Sequence, residues 1–223
     1  MLDTLKRGIF QMTYYSQIGQ DEYYIKQISK EKRNGVFLDI GANDGLFGSN
    51  TATLELERGW TGLCIEANPK LIEPLTKNRP NSTIVHKAVW TTPGTVDIEV
   101  PLHFKKKDPA NQLGRIATLE SNATSFKKFF DKGIETFKVQ SDTATNIISN
   151  TLGVPIVIDY MSLDIEGAEL EALQSIDFSQ IEIRFMTIEH GNRKGYKNLL
   201  ADYLKQFGYK VHRINQWDIE FEK

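Results

Sequence analysis

The chain has 223 residues, 27 of them basic and 29 acidic, for a formal charge of −2. That length buries one generous core, so a single domain over residues 1–223 is expected, and the charge balance excludes an overall pull toward nucleic acid or an anionic membrane. A lone cysteine, Cys64, excludes an intramolecular disulfide framework and a Cys-rich zinc site, and suits a reducing compartment.

The opening residues, MLDTLKRGIFQMTYY, hold too short an apolar run for a membrane span and no cleavage pattern, which predicts a cytoplasmic protein. Within a lead-in over residues 1–34, GQDEYYIKQISKEKRNG places Tyr24, Ile25 and Ile28 among charges and stops at Asn34-Gly35, predicting a short amphipathic helix. GVFLDI then reads as a strand and SNTATLELERG as a helix stopped at Gly59. WTGLCIEANP gives a second strand ending at Glu66, with Asn68-Pro69 as an N-cap and first helical position.

STIVHKAVW predicts a third strand, GTVDIEV a fourth extended piece, and PIVIDYMSLDIEG a buried strand followed by the helix AELEALQSI. IEIRFMTIEHG reads as another strand, YKNLLADYLKQFG as a helix stopped at Gly208, and YKVHRINQWDIEFEK as a closing pair of strands. This alternation predicts an α/β fold, a mostly parallel sheet with helices on both faces. Residues 101–142 break the rhythm with a basic cluster, Lys105 to Lys107, two prolines and a polar run; they read as an insertion that serves as a lid or binding loop.

The stretch VFLDIGANDGLFGSN ends its strand on Asp39 and turns on Gly41 and Gly45, with Asn43 and Asp44 between them. In an open parallel sheet, ligands bind beyond the carboxyl ends of the strands. A G-x-G-x-x-G dinucleotide fingerprint would need glycine where Asn43 and Leu46 stand, so NAD is disfavoured. S-adenosylmethionine carries an ammonium and a sulfonium and no phosphate, and Asp39, Asn43 and Asp44 suit it. Glu66 at the next strand tip suits the two ribose hydroxyls. His86, Ala88 and Val89 are candidates for the adenine pocket.

A second set of polar residues ends two later strands: Asp164 and Glu166 in SLDIEGAE, and Glu189 and His190 in TIEHG. Glu169 and Glu171 read as first-turn residues favoured by the helix dipole. Buried carboxylates need a cation, a metal or a hydrogen-bonding substrate between them. For methyl transfer the protein must align the attack and take a proton from a weakly acidic hydroxyl, a task for His190 or Asp164 with Glu189 beside them. A divalent metal held by Asp164, Glu189 and Asp218 is the rival design.

With FLDIGANDG, GWTGLCIEANP, MSLDIEGAELEAL and TIEHG in this order, the chain resembles the FkbM-type S-adenosylmethionine-dependent methyltransferases. SQIGQD near the start and INQWDIEF near the end extend the resemblance over nearly the whole chain. It implies a Rossmann-like class I methyltransferase fold, a seven-stranded sheet with an antiparallel C-terminal strand. It also implies O-methylation of a hydroxyl on a carbohydrate or a polyketide-type natural product. Asp39, Gly41, Asn43 and Gly45 would form the methionine side of the pocket, Glu66 the ribose clamp, and Asp164, Glu166, Glu189 and His190 the strand-tip motifs nearest the chemistry. The preferred acceptor is a deoxyhexose of a glycan, such as rhamnose or fucose; a non-catalytic cofactor-binding scaffold in a glycan-assembly complex is the alternative.

Overall fold

The computed structural model describes residues 12–102, 114–117 and 133–223. The basic run at 105–107 and much of the expected insertion lie outside them.

Five parallel strands form the centre of the main sheet: β1 (Val36–Ile40), β2 (Thr61–Glu66), β3 (Ser82–His86), β9 (Tyr160–Leu163) and β11 (Phe185–Glu189). Two closing strands, β12 (Lys210–Ile214) and β13 (Asp218–Glu222), complete the order β12-β13-β11-β9-β1-β2-β3. β13 runs antiparallel to both of its neighbours, as expected of the C-terminal strand.

Side-chain alternation along the central strands separates two cores. Leu38 and Ile40 face one way with Leu63, Ile65, Met161 and Leu163. The helices α4 (Ala144–Leu152), α5 (Glu169–Gln174) and α6 (Tyr196–Lys205) cover that side through Ile147, Leu173 and Leu200. Phe37 faces the other way into an aromatic cluster of Tyr24, Trp60, Tyr160 and Phe185, beside Leu54 and Leu75. There α1 (Gln20–Tyr23), α2 (Ala52–Arg58) and α3 (Ile72–Asn78) pack. Asp39 shares the parity of Phe37, so it enters this second layer although it is an acid.

A smaller sheet, in the order β4-β7-β5-β6, comprises β4 (Ala88–Val89), β5 (Gly94–Pro101), β6 (Arg115–Ile116) and β7 (Ile134–Asp142). Ile98, Val100, Ile116 and Val139 form its core together with Ala88 and Ala168. The remaining strands, β8 (Ile156–Ile158) and β10 (Ile181–Ile183), pair with each other.

Several expectations change. The predicted helix through Asn34-Gly35 is shorter: α1 passes into a π-helical turn, Tyr24–Ser29, and Lys30 leaves with φ 48°. The run STIVHKAVW divides at Lys87, its first half in the main sheet and its second in the small one. PIVID divides at Asp159, whose carboxylate accepts from Lys32, Arg184 and the Val36 amide, a polar anchor where a continuous strand was expected. Asn68 closes a turn, its Oδ1 accepting from Lys70 N–H at 3.0 Å, and the helix begins only at Ile72. Part of the expected insertion, Ile134 to Asp142, is regular strand, paired with β5 from Ile134 to Ser141 and with β4 at Ser141 and Asp142. α4 was unforeseen; Thr143 caps it by accepting from Asn146 N–H at 3.1 Å.

Candidate active site

A cavity of about 370 Å³ opens at the carboxyl ends of β1, β2, β9 and β11. The small sheet forms one wall through Ala88, Ile98 and Ile116, and Gln17, Phe47 and Trp217 belong to the other lining.

The glycine turn is fixed from behind. Gly41 and Ala42 N–H both donate to the Ile65 carbonyl, at 2.9 and 3.1 Å, which bends the chain toward β2. Gly41 has φ 86°, and a Cβ placed there would stand 1.7 Å from the Asp164 carbonyl oxygen, so the position demands glycine for backbone approach between strands as well as for dihedral freedom. Asn43 donates its N–H to Glu66 Oε2 at 2.8 Å. Asp44 Oδ1 accepts from Leu46 and Phe47 N–H at 2.9 and 2.8 Å, which makes it a turn-closing residue outside the cavity lining. Gly45 also lies outside the lining, and a Cβ on it would press on Arg79 and Leu75 of the α3 region.

Glu66 faces the cavity with both oxygens engaged, Oε1 accepting from Asn68 N–H at 2.7 Å and Oε2 from Asn43. Burial raises its pKa, and these amides oppose the rise. Asp39 also lines the cavity, accepts from Thr51 Oγ1 at 2.5 Å, and has a pKa raised by burial against the pull of Arg79. Ala88 and Val89 line the cavity, while His86 turns its Nε2 to the Ala67 carbonyl at 3.1 Å, outside the lining. Two residues that sequence reasoning missed join the site: Asn50 and Asn68 line the cavity, and the Asn50 Oδ1 and Asn68 Nδ2 atoms are buried without a hydrogen-bond partner. An orphaned acceptor and an orphaned donor at one cavity fit a nucleoside that bears an amino-acid group, because such a ligand supplies both complements. Their sequence neighbourhoods signalled only a helix start and a cap.

The other end of the cavity is acidic. Carboxylate oxygens of Asp164, Glu166 and Glu189 lie within 4.8 Å of one another. Asp164 is open to solvent at the cavity, yet dense protein around it, then the charges of Asp218 and Glu169, push its carboxyl up to about 7. Desolvation, then the other acids, raise Glu166 and Glu189 well above the usual carboxylate range. Asp218 lines the cavity but is not in this trio; its carboxylate accepts from Gln20 Nε2 at 2.6 Å and its N–H donates to Asn215 Oδ1 at 2.7 Å. The three-acid group therefore contains Glu166 where Asp218 was expected.

The loop carrying Asp164 and Glu166 is held by Glu169, which does more than favour a helix dipole. Its Oε1 accepts from Gly167 N–H at 3.0 Å, and its Oε2 from Arg193 and from Tyr196 OH. His190 is fully buried outside the cavity lining; its N–H donates to the Trp217 carbonyl at 2.8 Å and its Nδ1 accepts from Asn192 N–H at 3.0 Å. Burial lowers its pKa and favours the neutral ring. The early SQIGQD stretch docks on the sheet edge: Asp21 is fully buried and accepts from Ser16 and Thr53 hydroxyls at 2.5 and 2.6 Å, which lets Gln20 reach Asp218. No helix among the described residues is long and apolar enough to cross a membrane.

A sequence model described as the methyltransferase FkbM domain matches residues 39–211. None of the curated proteins matches the sequence. Among solved structures, the chain is similar to a TehB-like SAM-dependent methyltransferase from Corynebacterium glutamicum, with 12% identity and TM-score 0.45 over 92% of this chain and 87% of that one. It is similar as well to a precorrin-6y C5,15-methyltransferase from Geobacter metallireducens, with 11% identity and TM-score 0.45 over 91% and 87%. Fibrillarin from Aeropyrum pernix, in complex with natively bound S-adenosyl-L-methionine, aligns at 10% identity and TM-score 0.45 over 92% and 73%.

Proposed function

The chain belongs to the FkbM methyltransferase domain family, and from that premise we propose that it methylates a hydroxyl of a carbohydrate, a deoxyhexose such as rhamnose or fucose. The fold is the Rossmann-like class I methyltransferase fold, and the cofactor is S-adenosylmethionine. When bound, this cofactor supplies an electrophilic methyl group on a sulfonium.

In this reading Asp39, Gly41, Asn43 and Asn50 serve the amino-acid end of the donor, and Glu66 with Asn68 the nucleoside end. Ala88 contributes to the apolar wall beside them. The acceptor hydroxyl meets Asp164, which takes its proton as the new O–CH₃ bond forms and the S–CH₃ bond breaks. A carboxyl pushed up to about 7 suits a general base, since its ionised form is available near neutral pH and still binds a proton readily. Glu166 and Glu189 accept hydrogen bonds from neighbouring ring hydroxyls and hold the sugar in line. Of the two candidate bases, Asp164 is preferred because it lines the cavity and His190 does not. If a divalent cation takes part, Asp164, Glu166 and Glu189 are the residues that would hold it, and it would lower the hydroxyl's pKa.

The observation that carries the proposal is the acid trio facing the cavity: carboxyl groups that accept and, when protonated, donate hydrogen bonds complement a neutral, hydroxyl-rich molecule and offer no cation to a phosphate backbone. Incubation with methyl-labelled cofactor and parallel panels of deoxyhexose glycans and RNA tests it. Label is expected in the glycan and lost about a hundredfold or more in Asp164→Asn, in keeping with the removal of a general base. Labelling of RNA instead, or equal glycan labelling by Asp164→Asn, would overturn it.

A further inference from the structure

Behind the glycine turn, and outside the cavity, sits a fully buried guanidinium. Arg79 follows α3, and its side chain is 0% exposed. Nε donates to Glu55 Oε2 at 2.6 Å, while Nη1 lies 3.5 Å from Asp39 Oδ2 and donates at 3.4 Å to both the Gly45 carbonyl and Ser49 Oγ. The guanidinium also rests over the Phe37 ring, 5.0 Å from its centroid. Two of its partners, Asp39 and Ser49, line the cavity, and Gly45 closes the turn that carries Asn43.

The charge count matters here. Glu55 is served by the Asn81 N–H and the Ser82 hydroxyl as well as by Arg79, so it does not depend on the guanidinium alone. Asp39, which faces a cavity meant for a cationic donor, shares that one guanidinium with Glu55. A buried carboxylate without a nearby cation takes up a proton instead. The groups facing Asp39 are Arg79 and the Thr51 hydroxyl, which favour its ionised form, and Glu55, Glu66, Asp164 and the Cys64 thiol around them. Arg79 is the one cation among these.

Resting on the donor site assigned above, we propose that Arg79 is a positioning residue for S-adenosylmethionine: it clamps Asp39 and the glycine turn in one arrangement and supplies the counter-charge that makes Asp39 a carboxylate toward the ligand. Its contribution is therefore pH-dependent, which a purely structural role would not be.

Calorimetric titration of S-adenosylmethionine into wild type, Arg79→Met, Arg79→Lys and Asp39→Asn at about pH 6 and about pH 8 provides the test. Wild-type affinity is expected to differ by less than about threefold between the two conditions, because Arg79 opposes protonation. Arg79→Met is expected to bind about tenfold more weakly than wild type at the lower pH, with the gap narrowing at the higher as Asp39 loses its proton. Asp39→Asn is expected to bind weakly at both. Arg79→Lys keeps a cation for Glu55 but lacks the fork to reach Asp39 and the turn together, so it shows the same trend and decides the matter if Arg79→Met does not fold. Wild-type affinity in a folded Arg79 variant, a gap equal at both pH values, or unfolding of both Arg79 variants would overturn the proposal. Failure of the wild type itself to bind would overturn the donor assignment, and this proposal with it.

Discussion

The two ends of the cavity treat their carboxylates in opposite ways. At the β1–β2 end, Asp39 and Glu66 are each met by donors: a hydroxyl and a guanidinium for one, two backbone amides for the other. At the β9–β11 end, Asp164, Glu166 and Glu189 crowd one another, and among the described residues no backbone amide donates to their carboxylates. The first end is organised before any ligand arrives. The second crowds acids whose desolvation and mutual repulsion raise their pKa values, and in the function proposed above the first end would be the rigid donor site and the second the acceptor site.

Gly41 is where the two ends touch, and the largest effect is expected there. In Gly41→Ala the new Cβ would stand 1.7 Å from the Asp164 carbonyl on a residue with φ 86°, so the strands must separate. Strain of this kind, with overpacking added, costs about 3 kcal/mol or more, and a marked fall in thermal unfolding temperature is expected. An unchanged melting curve would break the claim that the two ends share one rigid backbone.

Glu66→Gln probes the preorganised end alone. A glutamine presents one acceptor and one donor to two amides that both need acceptors, so S-adenosylmethionine affinity is expected to fall about tenfold or more, consistent with the loss of a charged hydrogen bond. Asp164 lies at the other end, and single-turnover transfer at saturating cofactor should therefore change less than affinity does. Equal losses in both would merge the two ends into one.

The β9–β11 end is expected to reveal itself through pH. With the Asp164 carboxyl at about 7, transfer rises with pH through that value as the base ionises. Stability moves the other way. In the window from the ordinary carboxylate range up to about 7 the folded protein holds protons that the unfolded chain releases, so the extra stability is present at the acid side and is lost as pH rises through 7. Asp164→Asn should flatten the stability slope in denaturant titrations across that window. A slope of the same size in the variant would place the titration elsewhere.

The smallest effect is expected at His190, which is buried beside the site and outside the lining. His190→Gln should leave transfer within about tenfold of wild type while lowering the melting temperature, since it disturbs a packed turn and removes no proton acceptor from the cavity. A loss as deep as that of Asp164→Asn would move the base to His190.

Much of this was legible in the chain itself. The β-branched runs fixed the central strands because a sheet buried on both faces needs continuous apolar residues, and period-two alternation put Asp39 on the face of Phe37. Strand tips named Asp39, Glu66, Asp164 and Glu189 because ligands of parallel sheets bind there. What the sequence could not express was which neighbours these tips would meet. Asn50 and Asn68 look like helix-start residues, Arg79 like a solvated charge after a helix, and Glu169 like a dipole partner; each acquires its role from a contact with another element across the fold. The same applies to His190, whose imidazole looks like a base until packing closes around it. Local periodicity determined the elements and the edge that carries the chemistry, and tertiary packing decided which charges on that edge are paired, which are exposed and which are raised, because desolvation and opposing charge depend on residues distant in the chain.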